Sequence, residues 1–254
     1  MRRIAIANQK GGSAKTTTTV NLAAALAELG RTVLVIDLDP QGNSTDWLGA
    51  GNAAHGAFEL LTSQPEISAI ASETAVGGLL VVAATRQLQG VERALAREMG
   101  AELTLRRRLK ASKDSWDYVL VDTPPTLGLL TLNALSAVNE LIVPVEAHVL
   151  ALSGVVQLQE AVESVRDRLN PDLELTGIVA CRVDSRTRHS LDVVDSLRRK
   201  FNGQMYRTEI RENVRLAEAP SFRRSILEYA PGSSGAMDYR ALAKEVVKQE
   251  EKSG

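Results

Sequence analysis

The sequence predicts an α/β fold: a doubly wound, mainly parallel sheet with helices on both faces. Three observations carry this. Residues 32–37 (Thr-Val-Leu-Val-Ile-Asp), 118–122 (Tyr-Val-Leu-Val-Asp) and 141–145 (Leu-Ile-Val-Pro-Val) are continuous apolar runs, the pattern of parallel strands buried on both faces rather than of strands with one wet side. The stretches between them carry helical patterning, so strands alternate with helices along the chain. With 254 residues, 44% of them hydrophobic, the chain buries a substantial core without staples, and one globular unit spanning residues 1–254 is expected.

In chain order, residues 3–9 read as the first strand and residues 10–16 as a glycine-bearing loop, followed by a helix that runs through Leu29 and stops at Gly30. The run 32–37 is the second strand. Residues 50–78, rich in Gly, Ala, Ser and Thr, predict loops with one short helix. Further strands are expected at 79–83 and 175–180, and helices at 91–110, 153–169, 189–200 and 237–252. No internal repeat, low-complexity tract or linker divides the chain, and a first strand at residue 3 leaves no room for an N-terminal helix-turn-helix module.

Composition narrows the function classes. No stretch approaches about 18 consecutive apolar residues, and Met1-Arg2-Arg3 leads straight into strand-like sequence, so a cytoplasmic protein without span or signal peptide is expected. The lone Cys181 excludes internal disulfides and a thiolate cluster within one chain; it reads as a small apolar residue at the end of a buried strand. His55, His148 and His189 are scattered without metal-ligand spacing. The net charge of −1 is unevenly spread, because residues 181–230 hold eleven Lys/Arg against seven Asp/Glu. Such asymmetry marks either a nucleic-acid-facing patch or ordinary solvated helices.

The loop Gln9-Lys10-Gly11-Gly12-Ser13-Ala14-Lys15-Thr16-Thr17 lies between a strand and a helix, where backbone N–H groups and a helix N-terminus make an anion cradle. In the pattern G-x-x-x-x-G-K-[ST] the lysine reaches the β and γ phosphates and the hydroxyl holds Mg²⁺; Lys15 and Thr16 fill those places. Gln9 and Ala14 occupy the two glycine positions. Asp37 and Asp39 end the second strand two residues apart, hence on one side if the strand persists. Asp122 ends the apolar run 118–122, the arrangement that holds Mg²⁺ directly or through water.

Several strings resemble the ParA/Soj branch of the ParA/MinD ATPases. Lys10-Gly11-Gly12 with Lys15-Thr16 is similar to the family's deviant phosphate loop, and Asp37-Leu-Asp39-Pro-Gln-Gly-Asn43 to its switch I. Asp122-Thr-Pro-Pro-Thr-Leu-Gly128 resembles the D-x-P-P-S-L-G switch II of ParA rather than the D-x-P-A-G of MinD. Residues 143–154, 183–188 and 208–221 extend the likeness over nearly the entire chain, with Arg211 and Glu212 replacing the family's Pro and Arg. The resemblance implies a P-loop ATPase fold that takes ATP and Mg²⁺. It implies nucleotide contacts from Lys10, Gly11, Gly12, Ser13, Ala14, Lys15, Thr16 and Thr17, with Arg211 and Asn213 bordering the adenine. It further implies that Lys10 reaches across a nucleotide-sandwich homodimer, that Asp39 positions the attacking water, and that Asp37 supports a metal site with Thr16 and Asp122. The catalytic set is thus Lys10, Lys15 and Asp39.

The same resemblance implies a partition ATPase on non-specific double-stranded DNA, with a ParB-like centromere-binding partner, no membrane, and a cytoplasmic, nucleoid-associated location. Arg186, Arg188, Arg198, Arg199, Lys200, Arg215, Arg223 and Arg224 are the candidates for a face that contacts phosphates without reading bases. Aromatic residues are only 4% of the chain, which argues against a base-stacking platform. In residues 237–252, Lys244, Lys248 and Lys252 are offset by Glu245, Glu250 and Glu251, and neither Trp nor Phe occurs; docking on the domain is expected rather than a membrane-surface helix. Trp47 and Trp116 read as local packing. Two alternatives stay open: a MinD-like positioning ATPase acting on membrane or protein cargo, and a metabolic P-loop enzyme.

Overall fold

The computed structural model describes residues 1–63, 65–148 and 151–253, with side chains for all of these except Ala151, Ser153 and residues 251–253. Eight strands form one sheet: β1 (Arg2–Ile6), β2 (Val33–Asp37), β3 (Ala71–Glu73), β4 (Leu79–Val82), β5 (Tyr118–Asp122), β6 (Glu140–Glu146), β7 (Glu174–Val183) and β8 (Ile210–Arg211), in the order β3-β4-β2-β5-β1-β6-β7-β8. Every pairing is parallel except β3 on β4.

The apolar runs explain the two-layered burial. Side chains alternate across a strand, so Leu34, Ile36, Val119, Val121, Leu141 and Val143 pack one face while Val33, Val35, Tyr118, Leu120 and Ile142 pack the other. The first face is covered by the helices Ala57–Thr62, Thr104–Ala111, Leu129–Ala137 and Ala151–Arg168. The second is covered by α1 (Lys15–Glu28) and by the C-terminal helix Ser234–Ser253, whose Tyr239, Leu242, Ala243 and Val246 are fully buried. That burial, with Arg240 paired to Glu28 of α1 at 2.6 Å, docks the C-terminal helix on the sheet as its sequence predicts.

Four expectations need correcting. The first strand ends at Ile6, not residue 9, because Asn8 turns its amide onto the Pro144 carbonyl of β6 at 2.8 Å. The helix expected over 91–110 is broken into Val91–Ala94 and Thr104–Ala111, with Gly100 at φ +68° between them. Residues 50–78 hold two short helices, Ala57–Thr62 and Ile67–Ile70, and the antiparallel edge strand β3. The two-residue strand β8 adds a second unforeseen edge. Residues 149–150 of the family-like string 143–154 lie outside the described residues.

The topology places β1, β2 and β5 side by side, so the loops leaving their carboxyl ends converge, the usual ligand position of an open parallel sheet. Asp37 and Asp122 are register partners, and Ile6 on the other side pairs with Asp122.

Candidate nucleotide and metal site

The loop after β1 is shaped by two left-handed residues, Gly12 (φ +75°) and Ala14 (φ +67°). Asn8 accepts from the Lys10 N–H at 3.0 Å and so fixes the loop entry. Ala14 is the N-cap of α1 and offers no side-chain acceptor; the N–H groups of the first turn remain available to an anion. Ser13 Oγ is buried without a hydrogen-bond partner in the same loop. Lys15 is buried beneath it, its ammonium donating to the Lys10 carbonyl at 3.3 Å. Burial lowers the Lys15 pKa, while Asp122 and Asp39 oppose that shift. An orphaned hydroxyl, uncapped N–H groups and a buried ammonium are the groups a phosphate chain satisfies, and the loop fits one.

The carboxylates sit behind this cradle. Asp122 is fully buried and accepts from Thr16 Oγ1 at 2.9 Å, Ser44 Oγ at 2.6 Å and Thr19 Oγ1 at 3.2 Å. Asp37, also fully buried, accepts from the Thr45 N–H at 2.9 Å, Thr45 Oγ1 at 2.7 Å and the Asp39 N–H at 3.0 Å. Burial pushes both carboxyls above the usual carboxylate range; Asp37 is raised further by the Asp122 charge, and Asp122 is held back by its Ser44 and Thr16 bonds. Asp39 accepts from the Gln41 N–H at 3.0 Å. The Thr16 hydroxyl beside the Asp122 carboxylate is a hard-oxygen donor pair suited to Mg²⁺. Thr16 and Asp122 would hold the ion, and phosphate and water would complete its shell, as Mg²⁺ sites on nucleotides commonly require.

The two donors from α2 (Asn43–Trp47), Ser44 and Thr45, escaped the sequence reading, as did Thr19. Hydroxyl residues directly after the Asp-Pro-Gln-Gly turn were the available signal. Two more unforeseen groups flank Lys10: its ammonium lies 3.7 Å from Glu146, whose other oxygen accepts from Arg182 at 3.3 Å. Arg182 has φ +51° where the β7–β8 register shifts.

Beside the loop lies a cavity of about 410 Å³, lined by Ala14, Thr17, Cys181, Arg182, Arg211, Asn213 and Tyr239 among others. Its size suits a nucleoside. Arg211 and Asn213 line it, but their polar groups are committed elsewhere. The Arg211 guanidinium is bound to Asp238 at 2.6 Å. Asn213 caps the helix Val214–Glu218 through the Arg215 and Leu216 N–H groups and donates to Ser234 at 2.7 Å.

The structure divides the eight basic candidates. Arg186 and Arg188 stand at the carboxyl end of β7, at or just before the start of the helix Arg188–Lys200. Arg198, Arg199 and Lys200 close that helix, about 15–18 Å farther along its axis. Arg215, Arg223 and Arg224 belong to the segment after β8, packed near α1 and α2. Arg186, Arg198 and Arg215 are ion-paired to Asp184, Glu209 and Glu218. Arg188, Arg199, Lys200, Arg223 and Arg224 are exposed and have no acidic partner among the described residues.

A family model described as an AAA domain, AAA_31, matches residues 1–175. The chromosome-partitioning ATPase Soj of Thermus thermophilus is 47% identical over 247 residues, which span 97% of this chain and 96% of that protein. The sporulation initiation inhibitor protein Soj of Bacillus subtilis is 43% identical over 245 residues, 96% of this chain and 97% of that protein. Among solved structures, a Mycobacterium smegmatis protein described as cobyrinic acid a,c-diamide synthase, with bound ADP and magnesium, superposes with a TM-score of 0.87 at 35% identity, covering 100% of this chain and 97% of that one. With the phosphate cradle, the buried lysine and the hydroxyl–carboxylate pair in place, the chain belongs to the ParA/Soj family of P-loop ATPases and is an ATP hydrolase that uses Mg²⁺.

Proposed function

We propose that this ATPase drives chromosome or plasmid partition by an ATP-gated dimer that holds non-specific DNA. The observation that carries the reading is the contrast between two lysines of one loop. Lys15 is buried against the carboxylates and serves its own nucleotide, whereas the Lys10 side chain is 40% exposed, with only a long contact to Glu146. A half-exposed ammonium at the mouth of a phosphate cradle is available to the phosphates of a second subunit.

In this mechanism the α1 N-terminus and Lys15 bind the β and γ phosphates, and Thr16 with Asp122 would hold Mg²⁺, which neutralises charge between them. Asp37 fixes the switch turn through the Asp39 and Thr45 N–H groups, and Asp39 orients the attacking water. Positioning and charge stabilisation supply most of the rate in such chemistry. Pairing doubles the exposed arginine surface, so weak phosphate contacts become strong together and lapse when hydrolysis separates the subunits. A ParB-like partner accelerates that release. The relatives named for chromosome partitioning support this reading.

Size-exclusion chromatography with light scattering tests it. With Mg·ATP, Asp39→Ala elutes as a dimer, and Lys10→Ala binds ATP but stays monomeric. A Lys10→Ala protein that dimerises like the parent removes the cross-subunit role.

A further inference from the structure

Trp47 ends α2 with 4% of its surface exposed, and its indole N–H donates to the carbonyl of Arg224 at 2.7 Å. The two partners belong to different functional regions. On one side, Ser44 and Thr45 of α2 hold Asp122 and Asp37; Ser44 and Trp47 are three residues apart and share a helical face. On the other, the Arg224 carbonyl lies in the turn that joins the 3₁₀ segment Ala219–Phe222 to the helix Ile226–Tyr229 and carries exposed Arg223 and Arg224.

That turn is strained and doubly pinned. Arg223 has φ +52° and ψ +41°, a left-handed conformation unfavourable for a non-glycine residue. Its internal bonds are modest: Arg223 N–H to Pro220 at 3.0 Å and Arg224 N–H to Ala219 at 3.4 Å. Two outside anchors hold it. One is Trp47; the other is Asn21 of α1, which accepts from the Ile226 N–H at 2.7 Å. Both anchors come from elements of the candidate site: α1, which begins with Lys15 and Thr16, and α2, whose Ser44 and Thr45 bond the carboxylates. A buried indole requires an acceptor and packing alone can supply one, but this acceptor sets the peptide immediately following the two arginines.

We propose that Trp47 is a positioning residue that ties the aim of Arg223 and Arg224 to the state of the nucleotide site. Ligation at Thr16 and Asp122 would shift the Asp122 carboxylate and, with it, the Ser44 hydroxyl bonded to it, so that the short α2 moves as one piece and Trp47 carries the shift to the Arg224 carbonyl. The inference rests on the reading of this turn as part of the DNA-contacting face.

The chain has two tryptophans, so Trp116→Phe leaves Trp47 as the only indole. In that protein, Trp47 emission should change on adding Mg·ATP to the Asp39→Ala form; an unchanged spectrum overturns the inference. Trp47→Phe keeps the ring and removes the N–H. Its nucleotide affinity should stay within about 2-fold of the parent, while its ATP-over-ADP advantage in retaining non-specific duplex DNA falls about 5-fold, the value of one hydrogen bond. Equal retention by parent and variant overturns the inference alone, and joint loss of nucleotide and DNA binding assigns Trp47 to packing and also overturns it. A parent protein that shows no ATP-dependent retention refutes the DNA-bound reading itself, and the inference with it.

Discussion

Asp37 and Asp122 face each other as register partners on adjacent parallel strands, both with no solvent exposure. Both carboxyls have folded pKa values above the unfolded carboxylate range, so above about pH 4 this pair binds more protons in the folded chain than in the unfolded one. Stability of the nucleotide-free protein should therefore fall as pH rises through that region, with full stability only below it. Asp37→Asn removes one charge and should flatten the slope. Urea midpoints in chelator at about pH 5 and about pH 8 check the sign; an equal slope in the variant would show that the pair does not govern it.

Ala14 occupies a left-handed conformation at the entrance of α1. Ala14→Gly relieves that strain and should raise stability by about 1 kcal/mol, near 2–4 °C in Tm for a chain of this size. Calorimetry decides it. A lower Tm would mean that the Cβ, which packs beside the core next to α1, contributes more than the strain costs.

Ser44 donates to the Asp122 carboxylate at 2.6 Å. Its removal frees a carboxylate that the hydroxyl orients, so Ser44→Ala should raise the Mg²⁺ concentration needed for half-maximal turnover about 10-fold, the usual size of an outer-shell effect. Binding of a fluorescent nucleotide in chelator should stay as in the parent. A Mg²⁺ titration of the ATPase rate reads the difference.

Cys181 is fully buried, and burial pushes its thiol up to about 12. Although it lies on the wall of the nucleoside-sized cavity, the folded protein should resist iodoacetamide at about pH 8, since the thiolate is the nucleophile. Mass spectrometry should find modification only after denaturation. Rapid labelling of the native chain would contradict the burial.

The parts legible in the sequence were those with a repeating physical signature. Apolar runs such as residues 32–37 and 118–122 declare strands because burial on both faces leaves no polar position, and the Lys10–Thr17 loop declares itself through spacing. The edge strand β3, Ala-Ser-Glu with exposed or half-buried positions, carries no such pattern, and the two-residue β8 is too short for any. Ser44, Thr19 and Thr45 act through hydroxyl bonds to carboxylates distant in sequence, which periodicity does not encode. The ion pair that holds Arg211 is equally hidden, because its partner Asp238 lies 27 positions away. The Trp47–Arg224 bond, across 177 positions, is a product of the fold alone.

Retention on non-specific duplex DNA tests the central claim most directly, measured for the parent and Asp39→Ala with Mg·ATP, Mg·ADP and no nucleotide. The parent should be retained transiently with ATP alone, Asp39→Ala persistently with ATP, and neither with ADP; rising salt should weaken retention steeply. Retention that ignores nucleotide, or none in any state, would contradict an ATP-gated hold on DNA.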